Sequence, residues 1–352
     1  MNYNSFSEST PKNSLKMYGL KPIKLVSFAL LSLVLFSCSD RAPFGDTNYS
    51  FRAMDAPDES NIWIAAQHGF WAHSSNSGET WDTGHIAGFD GEIRDIEAWD
   101  ENTAIAMGIE SPGILWKTTN GGKSWVEVYR LDHPSTFFDN MDFNSSGSGI
   151  VIGDPIDGKW TILGTHDYGE NWTRWSPQTS YSAHPNEVAF AASGSGLICE
   201  DSRITFFTGG GANGMRSTDS RLNRIFQTDT SHTFGIYSAT LNHKGDILFV
   251  GGDYRFPDAT HGNGGVLRLV DGQYNFVEFT DPPRGYRSCI IQLSDQSYVC
   301  CGPNGVDYSA NGLMWTSLTK EGFHVLASPP NKRELWAAGS NGRVVNLTEL
   351  LP

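Results

Sequence analysis

Apolar positions recur along this chain with a period of two, in short runs bounded by Gly, Asn, Asp or Pro. No stretch carries the 3.6-residue spacing of an amphipathic helix. The pattern predicts many short β-strands and almost no helix. An eight-residue phrase punctuates the first half three times: Ser74-Ser-Asn76-Ser-Gly78-Glu-Thr-Trp81, Thr118-Thr-Asn120-Gly-Gly122-Lys-Ser-Trp125 and Thr165-His-Asp167-Tyr-Gly169-Glu-Asn-Trp172. The tryptophans stand 44 and 47 residues apart, the length of one four-stranded propeller blade. From Cys38 to Pro352 there are 315 residues, room for seven blades of about 45 residues. The expected fold is therefore all-β: a seven-bladed β-propeller, in a single domain over residues 47–352. The last repeat reads as only three strands, near Phe323–Ala327, Leu335–Ala338 and Arg343–Leu347. An N-terminal strand within Ala42–Asn48 is expected to close that last blade and hide its edge.

The phrase itself has the chemistry of a turn. The side-chain oxygens of Asn76, Asn120 and Asp167 accept nearby backbone N–H groups, the Gly takes a positive φ, and the Ser/Thr hydroxyl closes the hairpin. Trp81, Trp125 and Trp172 then bury their rings beside the next strand. These residues are structural, not a catalytic or metal-binding set. Later repeats lose the phrase: Arg216-Ser-Thr-Asp219 drops its Trp, Ser309-Ala-Asn311-Gly312-Leu-Met-Trp315 is one residue short, and Asp271-Gly272-Gln-Tyr274 reads as a plain hairpin.

A second repeat lies in the strands expected to line the axis. Seven segments align without gaps, beginning at Ser50, Glu92, Phe137, Pro185, Gly235, Gly285 and Gly322. Their fifth residues are small or apolar: Met54, Ile96, Met141, Ala189, Ala239, Cys289 and Leu326. Their third residues are Arg52, Arg94, Asp139, Glu187, Tyr237, Arg287 and His324. Residues two apart in a strand share a face, so the third residues are expected to form a polar ring at one channel mouth above an apolar belt. Such a ring is either an ion-pair lattice that fixes blade register or a carboxylate-binding site. In the second reading Arg52, Arg94 and Arg287 form the clamp, Asp139 and Glu187 orient it, and Tyr237 and His324 add hydrogen bonds or stacking.

Charge and the N-terminus set the compartment. Lys16, Lys21 and Lys24 precede the apolar run Leu25–Phe36, which ends Ser37-Cys38. A basic head, a short apolar core and a small residue before the cut describe an export signal. Residues 1–37 are read as leader plus lipoprotein signal peptide, with Met17 as an alternative start. Residues 38–46 are then a lipidated tether and closing strand, with Cys38 carrying the lipid. Loss of Lys12, Lys16, Lys21, Lys24 and Glu8 takes the formal charge from −14 to −17. That excludes nucleic acid and electrostatic attachment to anionic lipid, leaving the lipid as the membrane contact. The expected location is the bacterial cell envelope, with Ser39 favouring the outer membrane. Cys199, Cys289, Cys300 and Cys301 remain, read as buried thiols or as a hairpin pair between Cys289 and one of the last two. No spacing suggests a metal site, and no cofactor is expected: the glycine-rich run Gly209–Gly214 lacks the strand-to-helix setting that a dinucleotide needs.

The three turn phrases resemble the Asp-box, or BNR repeat, of sialidases and several non-enzymatic propellers. Further phrases extend the likeness: Phe138-Asp139-Asn-Met, Gly153-Asp154-Pro155, Asp157-Gly158-Lys159, Gly251-Gly-Asp253-Tyr254, Gly285-Tyr-Arg287-Ser288 and Gly302-Pro-Asn304-Gly305. Together they resemble the photosystem II stability and assembly factor family, in its exported, non-photosynthetic lipoprotein branch, over roughly residues 48–350. The resemblance implies a seven-bladed propeller that binds a protein or peptide partner with a basic patch near the axis, and Arg52, Arg94, Arg287 and Arg216 match that patch. It does not imply a photosystem role. The alternative is a sialidase-like glycoside hydrolase using Asp139, Glu187 and Tyr237. Tyr254-Arg-Phe-Pro257 echoes a sialidase signature, but it falls in the fifth repeat, and the order of ring residues differs.

Overall fold

The computed structural model describes Phe44, residues 47–228 and residues 230–352, and the following concerns these residues alone. The export signal, Cys38 and all of the expected closing strand except Phe44, Thr47 and Asn48 lie outside them. Short β-strands dominate, with only two single-turn 3-10 helices, Ser220–Leu222 and Thr348–Leu350. The first sheet holds β1 (Ala53–Asp55), β2 (Ile62–Ala65), β3 (Phe70–Ser74) and β4 (Asp82–His85). The second holds β5 (Ile93–Ala98), β6 (Ala104–Gly108), β7 (Gly113–Thr118) and β8 (Val126–Leu131). The third holds β9 (Phe138–Phe143), β10 (Gly149–Ile156), β11 (Lys159–Thr165) and β12 (Thr173–Arg174).

A nine-stranded sheet follows. It contains β13 (Glu187–Val188), β14 (Leu197–Cys199), β15 (Ile204–Gly210), β16 (Ala212–Ser217), β17 (Arg224–Thr228), β18 (Phe234–Leu241), β19 (Ile247–Asp253), β20 (Gly264–Val270) and β21 (Gln273–Val277). Its halves meet only where Gly209 of β15 pairs with Gly235 of β18. Then come β22 (Cys289–Gln292), β23 (Tyr298–Gly302), β24 (Gly305–Ser309) and β25 (Thr316–Thr319). The last sheet has three strands, as its sequence suggests: β26 (Val325–Ala327), β27 (Trp336–Ala338) and β28 (Val344–Asn346).

Burial changes from strand to strand within a sheet. Every residue of β2 and β6 is buried, whereas β4 is mostly exposed. Middle strands are covered on both faces by neighbouring sheets, so they read as apolar runs, and the outer strands are largely exposed. The first strands β1, β5, β9, β14, β18, β22 and β26 neighbour one another in that order, and β26 neighbours β1. One backbone bond recurs between successive sheets: Ile93 N–H to Ala66 O, Phe138 N–H to Ile109 O, Arg287 N–H to Gly251 O, and Phe323 N–H to Gly302 O. The same bond joins the last sheet to the first, from Phe51 N–H to Gly339 O at 3.1 Å. Gly342 N–H adds a bond to Tyr49 O at 2.8 Å. The ends of the chain are thus held through Tyr49–Phe51, with Phe44 packed edge-on against Phe51, Phe70 and Trp81.

The repeated phrases form the expected turns, between the third and fourth strands of their sheets. Thr165 Oγ1 donates to Asp167 (2.7 Å), Asn171 N–H donates to Asp167 Oδ1 (3.0 Å), and Gly169 N–H donates to Thr165 Oγ1 (3.2 Å). Asn76 and Asn120 repeat this scheme. The Ser309–Trp315 variant makes it one residue sooner: Gly312 N–H bonds Ser309 Oγ at 2.9 Å and Met314 N–H bonds Asn311 at 3.0 Å. The turn glycine has a second task. A Cβ on Gly122 would lie 2.4 Å from the Trp71 ring of the preceding sheet, and one on Gly78 would lie 2.5 Å from Trp336 of the last sheet. Each turn is therefore a packing key between sheets. All four described cysteines are buried free thiols, although Cys289 and Cys301 stand opposite each other in β22 and β23.

Candidate functional site

The third residues of the axial segments owe their direction to β-bulges. Pairing slips between Ile93 and Asp95, between Phe138 and Asn140, and between Ile236 and Ser238. Arg94, Asp139 and Tyr237 are the extra residues left over. A bulge re-aims its side chain and breaks period-two alternation, so these groups do not simply continue the face of the fifth residues. The recurring inter-sheet bond also tests the alignment. Phe51, Ile93, Phe138 and Phe323 make it from the second position of their segments, but in the sixth repeat Arg287 makes it. The sixth segment is thus displaced by one, putting Arg287 at the buried second position and Ser288 at the third. In the fourth repeat the axial strand is β14, downstream of Pro185–Ala191, and it neighbours β9 and β18.

These shifts divide the expected ring. Arg287 is 0% exposed and binds Asp307 through Nε at 2.9 Å, Asn304 at 2.6 Å and Tyr286 O at 2.8 Å. Glu187 is equally sealed: it takes Arg216 at 2.7 Å, Thr208 Oγ1 at 2.8 Å and His184 N–H at 2.8 Å. Neither they nor Arg216 reach the mouth, so Arg287 is corrected out of the expected three-arginine clamp. The hydrolase set is not assembled either. Glu187 is committed to Arg216, Asp139 is fully buried, and the Tyr237 hydroxyl donates to Thr233 O at 2.8 Å.

Arg52, Arg94, Tyr237 and His324 do share an environment. Arg94 is gripped by Glu92, from Nε at 2.7 Å and from Nη2 at 3.1 Å, and donates to Ala191 O at 2.8 Å. Glu92, not Asp139 or Glu187, therefore orients it. Arg52 is half-buried and makes no hydrogen bond or ion pair with any described residue. Burial, and after it the charge of Arg94, lowers its pKa from the ordinary value, while Tyr286 and Glu92 act the other way. His324 donates or accepts at Ser340 Oγ (2.9 Å). Burial, then the charges of Arg52, Arg94 and Arg343, depress its pKa to about 3, so it is neutral at physiological pH. Asp139 has no hydrogen-bond partner among the described residues for either carboxyl oxygen, and burial, reinforced by Asp154, raises its pKa well above the carboxylate range. Aromatic rings complete the mouth: Phe190 stacks on Tyr237 at 3.9 Å, Tyr286 meets Tyr237 edge-on at 4.7 Å, and Tyr254 is half exposed beside both. The outcome is one guanidinium with no direct partner among the described residues, in an aromatic surround.

The opposite ends of the same strands carry the other sign. An axial cavity of about 350 Å³ is lined by Asp55, Asp95, Glu97 and Asp142, together with Met54, Met141, Ala239, Cys289 and Leu326 of the expected apolar belt. No lysine or arginine lines it. Asp55 and Asp142 each accept a backbone N–H from the next segment, from Ala98 and Cys199. Burial raises all four acids, Asp55 to about 6 and Asp142 to about 7. No three His, Cys, Asp or Glu side chains among the described residues are placed to hold a metal ion. Sequence reasoning passed over this acidic end, although Asp55, Glu97 and Asp142 stand together in the sixth column of the aligned segments. It also missed Glu92, Tyr254 and Tyr286.

No protein-family model matches the sequence, and no curated protein matches it. Solved structures do. YCF48 bound to D1 peptide is similar with a TM-score of 0.58 at 15% identity, over 85% of this chain and 93% of that one. YCF48 from Cyanidioschyzon merolae gives 0.54 at 11% identity, over 85% and 96%. The WD40 β-propeller domain of Doa1 gives 0.56 at 12% identity, over 85% and 92%. Identities this low speak for architecture alone, and the architecture they share with this chain is an all-β, propeller-like one.

Proposed function

We propose that this chain is a seven-bladed propeller that binds a peptide or protein partner at the Arg52 mouth and serves as an assembly or stability factor. The nine-stranded sheet is read as two blades meeting at Gly209 and Gly235, which makes seven with the other five sheets. We further propose that Cys38 anchors the chain by lipid in the bacterial envelope, at the outer membrane. The observation that carries the binding role is Arg52: a half-buried guanidinium without a described partner, beside a second arginine already neutralised by Glu92. A partly desolvated cation of this kind gains from a carboxylate brought by a ligand, and the half-exposed ring of Tyr254 offers a face for its neighbours. The bound D1 peptide of the similar YCF48 structure supports a peptide as the ligand class. No observation favours glycoside hydrolysis.

The test is calorimetric titration with short peptides that differ only in carrying a free C-terminal carboxylate or an amide. The free acid is expected to bind, and Arg52→Ala to weaken it about 10- to 100-fold, the range of a charge-assisted hydrogen bond. Equal binding of acid and amide, or an unaffected Arg52→Ala, overturns the reading. Capture of a native envelope partner by wild type and not by Arg52→Glu extends it to the cell.

A further inference from the structure

A second cavity, of about 520 Å³, lies where the outer strand β17 faces β18–β21. Its walls are phenylalanines. Pairing of β16 with β17 slips between Asn213 and Gly214, leaving Phe226 as the extra residue. Its ring stacks on Phe249 at 5.5 Å, and Phe249 stacks on Phe276 at 6.1 Å. Phe226 and Phe276 remain 36% and 45% exposed. Glycine makes room for a ring at one place, where a Cβ on Gly265 would sit 2.3 Å from Phe276, and for backbone at another, where one on Gly264 would sit 2.2 Å from the Phe249 carbonyl oxygen. Asn213 also lines the cavity. It is only 8% exposed, and its side-chain oxygen finds no donor among the described residues.

A buried acceptor without a donor is costly, and such atoms call for a partner. An exposed stack of aromatic rings around one calls for a ligand with a flat apolar face and an N–H or O–H at its edge. Charge narrows the choice. Glu278 lines the cavity and no lysine or arginine does, which disfavours anions. The apolar walls disfavour a sugar, whose several hydroxyls would lose water without replacement. We propose that this cleft is a binding site for an indole-type ring, the tryptophan side chain of a partner, with the ring N–H donating to Asn213. The loop between β19 and β20, which supplies Tyr254 to the axial mouth, also forms one wall here through Thr260–Asn263. The site rests on the peptide-binding reading for its use, but ring capture is tested without it.

The probes are N-acetyl-tryptophanamide and its 1-methyl-indole analogue, followed by saturation-transfer NMR and calorimetry on the whole chain. The first is expected to saturate a single site, and methylation to weaken it about tenfold, the worth of one hydrogen bond. Phe226→Ala/Phe276→Ala, changes at partly exposed rings, is expected to abolish binding with melting nearly unchanged. Asn213→Leu is expected to bind both probes alike. Absence of saturation, equal binding of the two probes by wild type, or undiminished binding by the double variant overturns the proposal. Arg52→Ala should leave indole binding intact. Indole binding without carboxylate binding sinks the mouth alone, and the reverse sinks the cleft alone.

Discussion

Arg52 and Arg287 occupy aligned segments one register apart, and that single step decides what each guanidinium does. Arg287 is enclosed by Asp307, Asn304 and the Tyr286 carbonyl. Its replacement by Met strands a buried carboxylate that Arg284, at 3.3 Å, still partly answers. The expected cost is about 3 kcal/mol, at the low end for a broken buried pair. Arg52→Met should be neutral or slightly stabilising, because it removes a desolvated charge with no described partner. Denaturant melts of the two variants check this, and equal losses would mean that Arg52 is also structural. The polar third column was legible because ionisable residues are rare in a strand-rich core. Arg287 was misplaced because a one-residue displacement leaves no mark in residue types, only in the bond from its N–H to Gly251 O. The acids at the other end were equally visible in the alignment, three columns from the bulged side chains.

At the scale of elements, turns were read best and bulges were not read at all. Turn phrases encode their hydrogen bonds locally, so Asn76, Asn120 and Asp167 could be placed from spacing alone. A bulge is a relation between two strands, and nothing in Ile93–Asp95 taken singly announces one. The fourth repeat shows the cost. Glu187-Val188 is a strand, but it pairs with Gly210 and Gly209, while the axial position passes to Leu197–Cys199. The turn glycines permit a sharp prediction. Gly122→Ala would place a Cβ 2.4 Å from the Trp71 ring at a φ of +80° and should cost about 2–4 kcal/mol. Gly158→Ala, at a φ of +73° with nothing within 4 Å, should cost only the backbone term of about 1 kcal/mol. Matching losses in thermal melts would show that contact with the preceding sheet carries no energy.

For the molecule as a whole, the axial ends differ in sign and should respond to pH. Asp55, Asp95, Glu97 and Asp142 hold protons in the folded state that the unfolded chain has released. Their contribution is therefore favourable below about pH 4 and is lost as pH rises through about 6 for Asp55 and about 7 for Asp142. His324 and His73, both lowered, work the other way as pH falls below about 6.5. Glu97→Gln isolates one acid from this balance: its melting temperature should exceed wild type by a few degrees at pH 7.5 and match it near pH 5. A constant difference across that range would contradict the raised acidity. Fold class was legible at this scale because blade length and turn phrases repeat. How the ends meet was not, since the bonds from Phe51 and Gly342 join residues almost three hundred positions apart. That seam carries a consequence for biosynthesis. A chain made from its N-terminus must keep Phe51 and the Trp81 turn waiting, without their final neighbours, until Trp336 and Gly339 have emerged. The closing step is then the slowest, as contacts between distant residues are, and a product truncated before residue 336 would leave a greasy flank open to aggregation or to a holding chaperone.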